Sequence, residues 1–193
     1  MAALRPLAAA AALTILAPLA GCGGSEENAS ELAAESAAAS DRTLAGAIAE
    51  APGLTTVSGA LTEAGLADVF DGRGSYTVLA PDDDAFAKLG ASGKLLTDPA
   101  HRAELVGLLR GHILPGHLTP DAIRKAIAAR NGPVTMRNLA DGEVTFSAAG
   151  DAITVSGEDG TKATIDGEAL VASNGVVLPL DGVVKRPSPV PAS

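Results

Sequence analysis

A chain of 193 residues, less a targeting segment, fits one domain with one core. Hydrophobic residues make up 47% of it and aromatics only 2%, so Ala, Val, Leu and Ile build the core, and the rings of Phe70, Tyr76, Phe86 and Phe146 are too few for a base-stacking platform or an aromatic sugar cleft. A formal net charge of -9 repels a phosphate backbone and excludes nucleic acid as a partner.

Residues 1–21 read as a signal peptide: Arg5 is the only early positive charge, and the apolar run from Leu7 to Leu19 is short for a spanning helix. It ends in Leu19-Ala20-Gly21-Cys22, which resembles the lipobox of bacterial lipoproteins. That resemblance implies cleavage before Cys22, acylation of its thiol, and a lipid bilayer as partner. Cys22 is the only cysteine, so no intramolecular disulfide can form, and acylation accounts for a lone exported thiol better than redox or metal chemistry does. Gly23 rather than aspartate after the cysteine favours the outer membrane in a double-membraned bacterium, by resemblance to the sorting rule. Residues 22–42, rich in Ala, Ser and Glu without an apolar stripe, read as a flexible tether.

The folded part is expected over 43–187. Leu44 and Ile48, then Leu54, Val57 and Leu61, follow helical spacing and predict two small helices before residue 70. Ser75 to Ala80 has strand composition, and Pro81 stops it. Asp82 is the expected N-cap of a short helix carrying Ala85, Phe86 and Leu89, closed by Gly90. Asp98-Pro99 starts a further helix whose face is Leu105, Leu108 and Leu109, and Thr119-Pro120-Asp121 starts another, ended by Asn131-Gly132. After Gly132 the period becomes two: Val134 and Met136, Val144 and Phe146, Ile153 and Val155 alternate with polar residues, as in half-buried antiparallel strands. Asp141-Gly142, Gly150-Asp151 and Asp159-Gly160 supply the hairpin turns. The last apolar stretch, Gly175 to Val184, contains Pro179, so that strand is expected at an edge, or bent or bulged there. Residues 188–193 read as a Pro-rich tail. Helices in one half and strands in the other describe an α+β domain, not a βαβ nucleotide-binding sheet.

Three segments carry a resemblance. Thr77-Val78-Leu79-Ala80-Pro81-Asp82-Asp83-Asp84-Ala85-Phe86 resembles the first signature of the fasciclin domain, Gly111 to Gly116 its Tyr-His segment, and Asn174 to Pro187 its closing signature. Together they identify a fasciclin-like domain over essentially the whole folded part. The resemblance implies a compact wedge of β-strands with several short helices packed around it, used in adhesion and surface attachment. It marks Thr77, Asp83, Phe86, His112, Asn174 and Asp181 as the structural or binding motif, with Asp83 a hydrogen-bond partner for His112. The chain departs from the family at Asp82, commonly threonine, at Gly111 in place of tyrosine, and at Leu178-Pro179 in place of the closing histidine and its neighbour.

No catalytic residue, metal or cofactor is expected. Asp82-Asp83-Asp84 invites a metal hypothesis, but consecutive carboxylates at a helix start diverge, whereas a calcium loop alternates them; the cluster reads as first-turn capping. His101, His112 and His117 sit in no zinc pattern, and no serine lies in G-x-S-x-G or S-x-x-K. The expected function is therefore a membrane-anchored extracytoplasmic module that binds an extracellular protein or polysaccharide. The alternative is an envelope lipoprotein enzyme or small-molecule carrier, which needs a deep polar pocket.

Overall fold

A computed structural model describes residues 41–187 apart from Thr97. The segments expected to be signal peptide and Pro-rich tail, the expected acylation site Cys22 and most of the expected tether lie outside the described residues.

Thr43 opens the helix α1 (Leu44–Glu50) by accepting the Gly46 amide at 3.3 Å. Then follow α2 (Thr55–Ala64) and α3 (Ala67–Phe70), so the described stretch from Thr43 to Asp71 holds three helical segments rather than two. The break falls at Gly65, whose φ of 71° turns the chain while its amide bonds the carbonyls of Leu61 and Thr62. Strand β1 (Tyr76–Pro81) leads into α4 (Asp83–Lys88), capped by Asp82. A short helix α5 (Ala91–Leu96), which neither apolar spacing nor a capping residue announces, comes before the turn at Pro99–His101 and α6 (Arg102–Gly111). β2 (Ile113–Pro115) and α7 (Pro120–Arg130) complete the helical half; Thr119 caps α7 and Asn131 ends it at φ 52°. The remaining strands are β3 (Val134–Arg137), β4 (Glu143–Ala149), β5 (Ala152–Gly157), β6 (Lys162–Thr164), β7 (Leu170–Ala172) and β8 (Gly175–Leu180).

The strands make two four-stranded sheets. β3-β4-β5-β6 is an antiparallel meander with its turns where the Asp-Gly and Gly-Asp pairs predict them. The other sheet runs β2-β1-β8-β7, with β1 antiparallel to β2 and parallel to β8, in register from Tyr76 opposite Gly175 to Pro81 opposite Leu180. The sheets are joined at both sides. Leu139 donates its amide to Ile113 at 2.9 Å, and Ile165 bridges Leu180.

This arrangement corrects the expectation for Pro179. β8 is an inner strand, not an edge, but β7 ends opposite Val177, so β8 has no ladder on that side at Pro179. The amides facing β1 alternate through Val176, Leu178 and Leu180, so the N–H that proline lacks points away from β1, past the end of β7. Its carbonyl accepts the Asp166 amide at 2.9 Å.

Strand alternation divides the apolar residues into two cores on opposite faces of the β1–β8 sheet. Val78, Ala80 and Val177 face the helices and pack with Leu44, Val57, Leu61, Phe86, Leu105 and Leu109. In the same core Phe70 meets Tyr76 edge to face, with centroids 5.8 Å apart and planes at 75°. Leu79, Val176, Leu178 and Leu180 face the meander and pack with Val144, Phe146, Ile153, Val155 and Val184.

Candidate functional site

Each motif residue marked in the sequence ties two or more elements together. Thr77 is buried on the inter-sheet face of β1, where its hydroxyl donates to the Gly116 carbonyl at 2.8 Å and accepts the Leu118 amide at 2.9 Å. That single hydroxyl fixes the chain between β2 and α7 to the centre of the sheet.

The three consecutive aspartates have separate tasks. Asp82 accepts the Ala85 amide at 2.5 Å as the cap of α4. Asp83 reaches across to α2 and accepts the Thr56 amide at 2.7 Å, while its own amide donates to the Gly53 carbonyl at 2.8 Å. Hydrogen bonds from the side chain and amide of Thr56 hold its carboxyl below the ordinary 3.8, against a smaller opposing effect of burial. Asp84 is exposed. Phe86, 6% exposed, goes into the helical core.

The resemblance implied a bond between His112 and Asp83, and the structure shows none. Asp83 is engaged with α2, and His112 lies at the seam between α6, the two sheets and the segment after β8. Its Nδ1 is 2.9 Å from the Leu108 carbonyl and its Nε2 accepts the Val184 amide at 3.0 Å. This pattern requires the neutral tautomer with the proton on Nδ1. Burial pushes the imidazole from 6.5 to about 4, with a further lowering by Lys185, opposed by the Leu108 bond and the Asp159 charge. Gly111, beside it, is covered by the stem of Lys185: a Cβ there would stand 2.7 Å from the Lys185 Cδ. The space above the position of the family's tyrosine is occupied by Lys185.

At the closing signature, Asn174 accepts the Leu44 amide at 2.8 Å and donates to the carbonyls of Phe70 and of Gly72, the latter at 3.0 Å. Asp181 accepts the Thr164 amide at 2.6 Å, joining the end of β8 to β6, and its carbonyl accepts from Lys88 Nζ at 3.0 Å.

Sequence reasoning missed three further braces. Asn138 is buried and its Oδ1 accepts the amides of Ala140 and Gly142, both at 3.0 Å. Asp159 accepts from the Thr161 hydroxyl at 2.6 Å and from the Arg186 amide at 2.7 Å. Partial burial works to raise the Asp159 carboxyl, but these bonds outweigh it and hold it below the ordinary 3.8. Gly157 lies so close to the Val184 carbonyl that no Cβ fits there. The Asp159-Gly160 turn signal hinted at the second; the other two have no local signal.

The motif is thus an internal framework. On the surface, an open groove of about 280 Å³ is lined by Asn138, Glu143, Glu158, Asp159, Lys185 and Arg186. A second, of about 330 Å³, runs between α1, α2 and α3 over Ile48, Leu61 and Phe70. Among the described residues no group of three His, Cys, Asp or Glu side chains is placed to hold a metal ion, and no helix is long and apolar enough to cross a membrane.

The family model for the fasciclin domain matches residues 52–186, which contain β1, β2, β8 and all six motif residues. The chain belongs to the fasciclin domain family. Protein sll1483 of Synechocystis sp. is 33% identical over 138 residues, covering 69% of this chain and 67% of the relative. Transforming growth factor-beta-induced protein ig-h3 of Sus scrofa is 30% identical over 124 residues, 63% of this chain but only 16% of that protein. A solved FAS1 domain pair from the insect cell adhesion molecule fasciclin I superposes with a TM-score of 0.68 at 13% identity, covering 76% of this chain and 52% of the pair. At that identity the likeness establishes the fold, a mixed α+β fasciclin fold.

Proposed function

We propose that this chain is an exported, lipid-anchored binding module. In this reading acylated Cys22 enters the bilayer, residues 22–42 act as a tether, and the domain over 43–187 contacts an extracellular protein or polysaccharide, so supporting surface attachment. In a double-membraned bacterium the bilayer is the outer membrane. The observation that carries the reading is that the fasciclin motif side chains are spent on internal bracing, which leaves recognition to the outer surface and its open grooves. Family membership supports adhesion as the use of that surface, since the insect relative is itself a cell adhesion molecule.

The test joins location to attachment. Cys22→Ser is expected to move the protein from the membrane to the soluble fraction and to reduce attachment and biofilm formation as far as deletion does. The full chain is expected to retain an envelope or matrix protein or polysaccharide in a pull-down. Unchanged membrane partition with an intact N-terminus defeats the anchor. Normal attachment on deletion, together with turnover of an envelope substrate, defeats the binding reading in favour of the lipoprotein enzyme.

A further inference from the structure

The segment 183–187, which follows β8, is held unlike the rest of the domain. It joins no strand ladder. The two amide bonds found for it among the described residues both end on ionisable side chains: Val184 on His112 Nε2 at 3.0 Å and Arg186 on Asp159 Oδ2 at 2.7 Å. Between these bonds the Val184 side chain, 3% exposed, plugs the inter-sheet core, and its carbonyl lies against Gly157.

We propose that residues 183–187 form an acid-released latch over the seam between the two sheets, which opens when His112 and then Asp159 take up protons while both sheets stay folded. The chemistry lies in the tautomer. Neutral His112 donates from Nδ1 to Leu108 and can accept at Nε2; a second proton makes Nε2 a donor facing the Val184 N–H, and two donors cannot share a bond. Lys185 of the latch opposes charge on the ring and Asp159 of the β5–β6 turn favours it. Around them, Glu143, Glu158 and Arg186 line the adjoining groove and Glu104 of α6 faces Lys185 and Arg186 from the other side.

Linkage fixes the direction and the size. His112 titrates at about 4 in the closed form and moves back toward the ordinary 6.5 when the segment leaves and its Nε2 meets water, with 6.5 itself as the upper limit. The open form therefore binds more protons between those values, and the closed form is lost as pH falls through that window. The ratio of open to closed rises up to about thirtyfold between pH 7.5 and 5. Asp159, held below 3.8, adds its effect only at lower pH.

Hydrogen–deuterium exchange on the full chain at pH 7.5 and 5, corrected for intrinsic exchange, tests this. Amides in 183–187 are expected to exchange up to about thirtyfold faster at pH 5, with those of β4 and β5 unchanged. Gly157→Ala, which displaces the Val184 carbonyl, is expected to show the open rate already at pH 7.5. If 183–187 loses protection only together with β4 and β5, or shows no change by pH 5, the latch is wrong; the wild-type comparison decides even if the variant does not fold.

Discussion

Asn174 sets its carboxamide among three backbone groups that no other element of the fold brings together. Its oxygen takes the first free amide of α1 at Leu44, and its nitrogen takes the carbonyls of Phe70 and Gly72 beyond α3. The sequence marks Asn174 through the closing signature, yet its partners lie 102 to 130 residues earlier, and no local pattern names them. The same separation hid the partner of His112: the resemblance pointed to Asp83 of the first signature, whereas Val184 lies 72 residues on. Thr77 and Asp181 were likewise legible as positions and not as bonds. Asn174→Asp tests the bracing reading, because it keeps shape and the Leu44 acceptor but turns a nitrogen donating twice into an oxygen that faces two carbonyls. The expected loss is about 1–3 kcal/mol in urea unfolding, the cost of leaving partly buried polar groups unpaired. A loss under about 0.5 kcal/mol, usual for surface changes, means that the residue serves an outer contact instead.

Elements with a chemical start and stop were readable, and those without were not. Thr43, Asp82, Asp98 and Thr119 each cap the segment that follows, with the side-chain oxygen accepting an amide two or three residues on. α5 has no capping side chain and no apolar stripe, and only its packing between α4 and α6 accounts for it. Pro179 misled in the other direction: the rule that proline avoids inner strands acts on a single N–H direction, and here the β7 ladder does not reach that far to ask for a donor. The aspartate run allows the capping argument to be graded. Asp82→Ala removes the cap of α4 and is expected to cost about 1 kcal/mol, within the usual range of about 0.5–2. Asp83→Ala removes the acceptor for the first turn of α2 and is expected to cost a similar amount, whereas exposed Asp84→Ala is expected to stay within about 0.5 kcal/mol. Urea midpoints of the three variants check the order, and a loss at Asp84 as large as at Asp82 contradicts it.

Across the molecule, the α+β class and the antiparallel meander were legible because period-two alternation and turn pairs are local signals. The parallel pairing of β1 with β8 was not, since it joins the first and last signatures across most of the domain and depends on the sheet rather than on either segment. That pairing places the end of β8 beside the meander and carries Val184 back to His112, so one imidazole links the helical core, both sheets and the end of the domain. Global stability should then follow its protonation. The folded form holds His112 at about 4 and the unfolded chain near 6.5, so the unfolded state binds more protons between these values. The stabilisation is fully present above pH 6.5 and is lost as pH falls toward 4. Between pH 7.5 and 5 the loss amounts to about 2 kcal/mol. Asp83 and Asp159, both held below 3.8, contribute only at still lower pH, so this window isolates the imidazole. His112→Gln is expected to lower stability at pH 7.5 and to flatten the dependence across the window. Parallel urea series of the wild type and the variant decide the matter: equal slopes against pH would show that another group carries the acid sensitivity, and that His112 is a brace without a charge-dependent role.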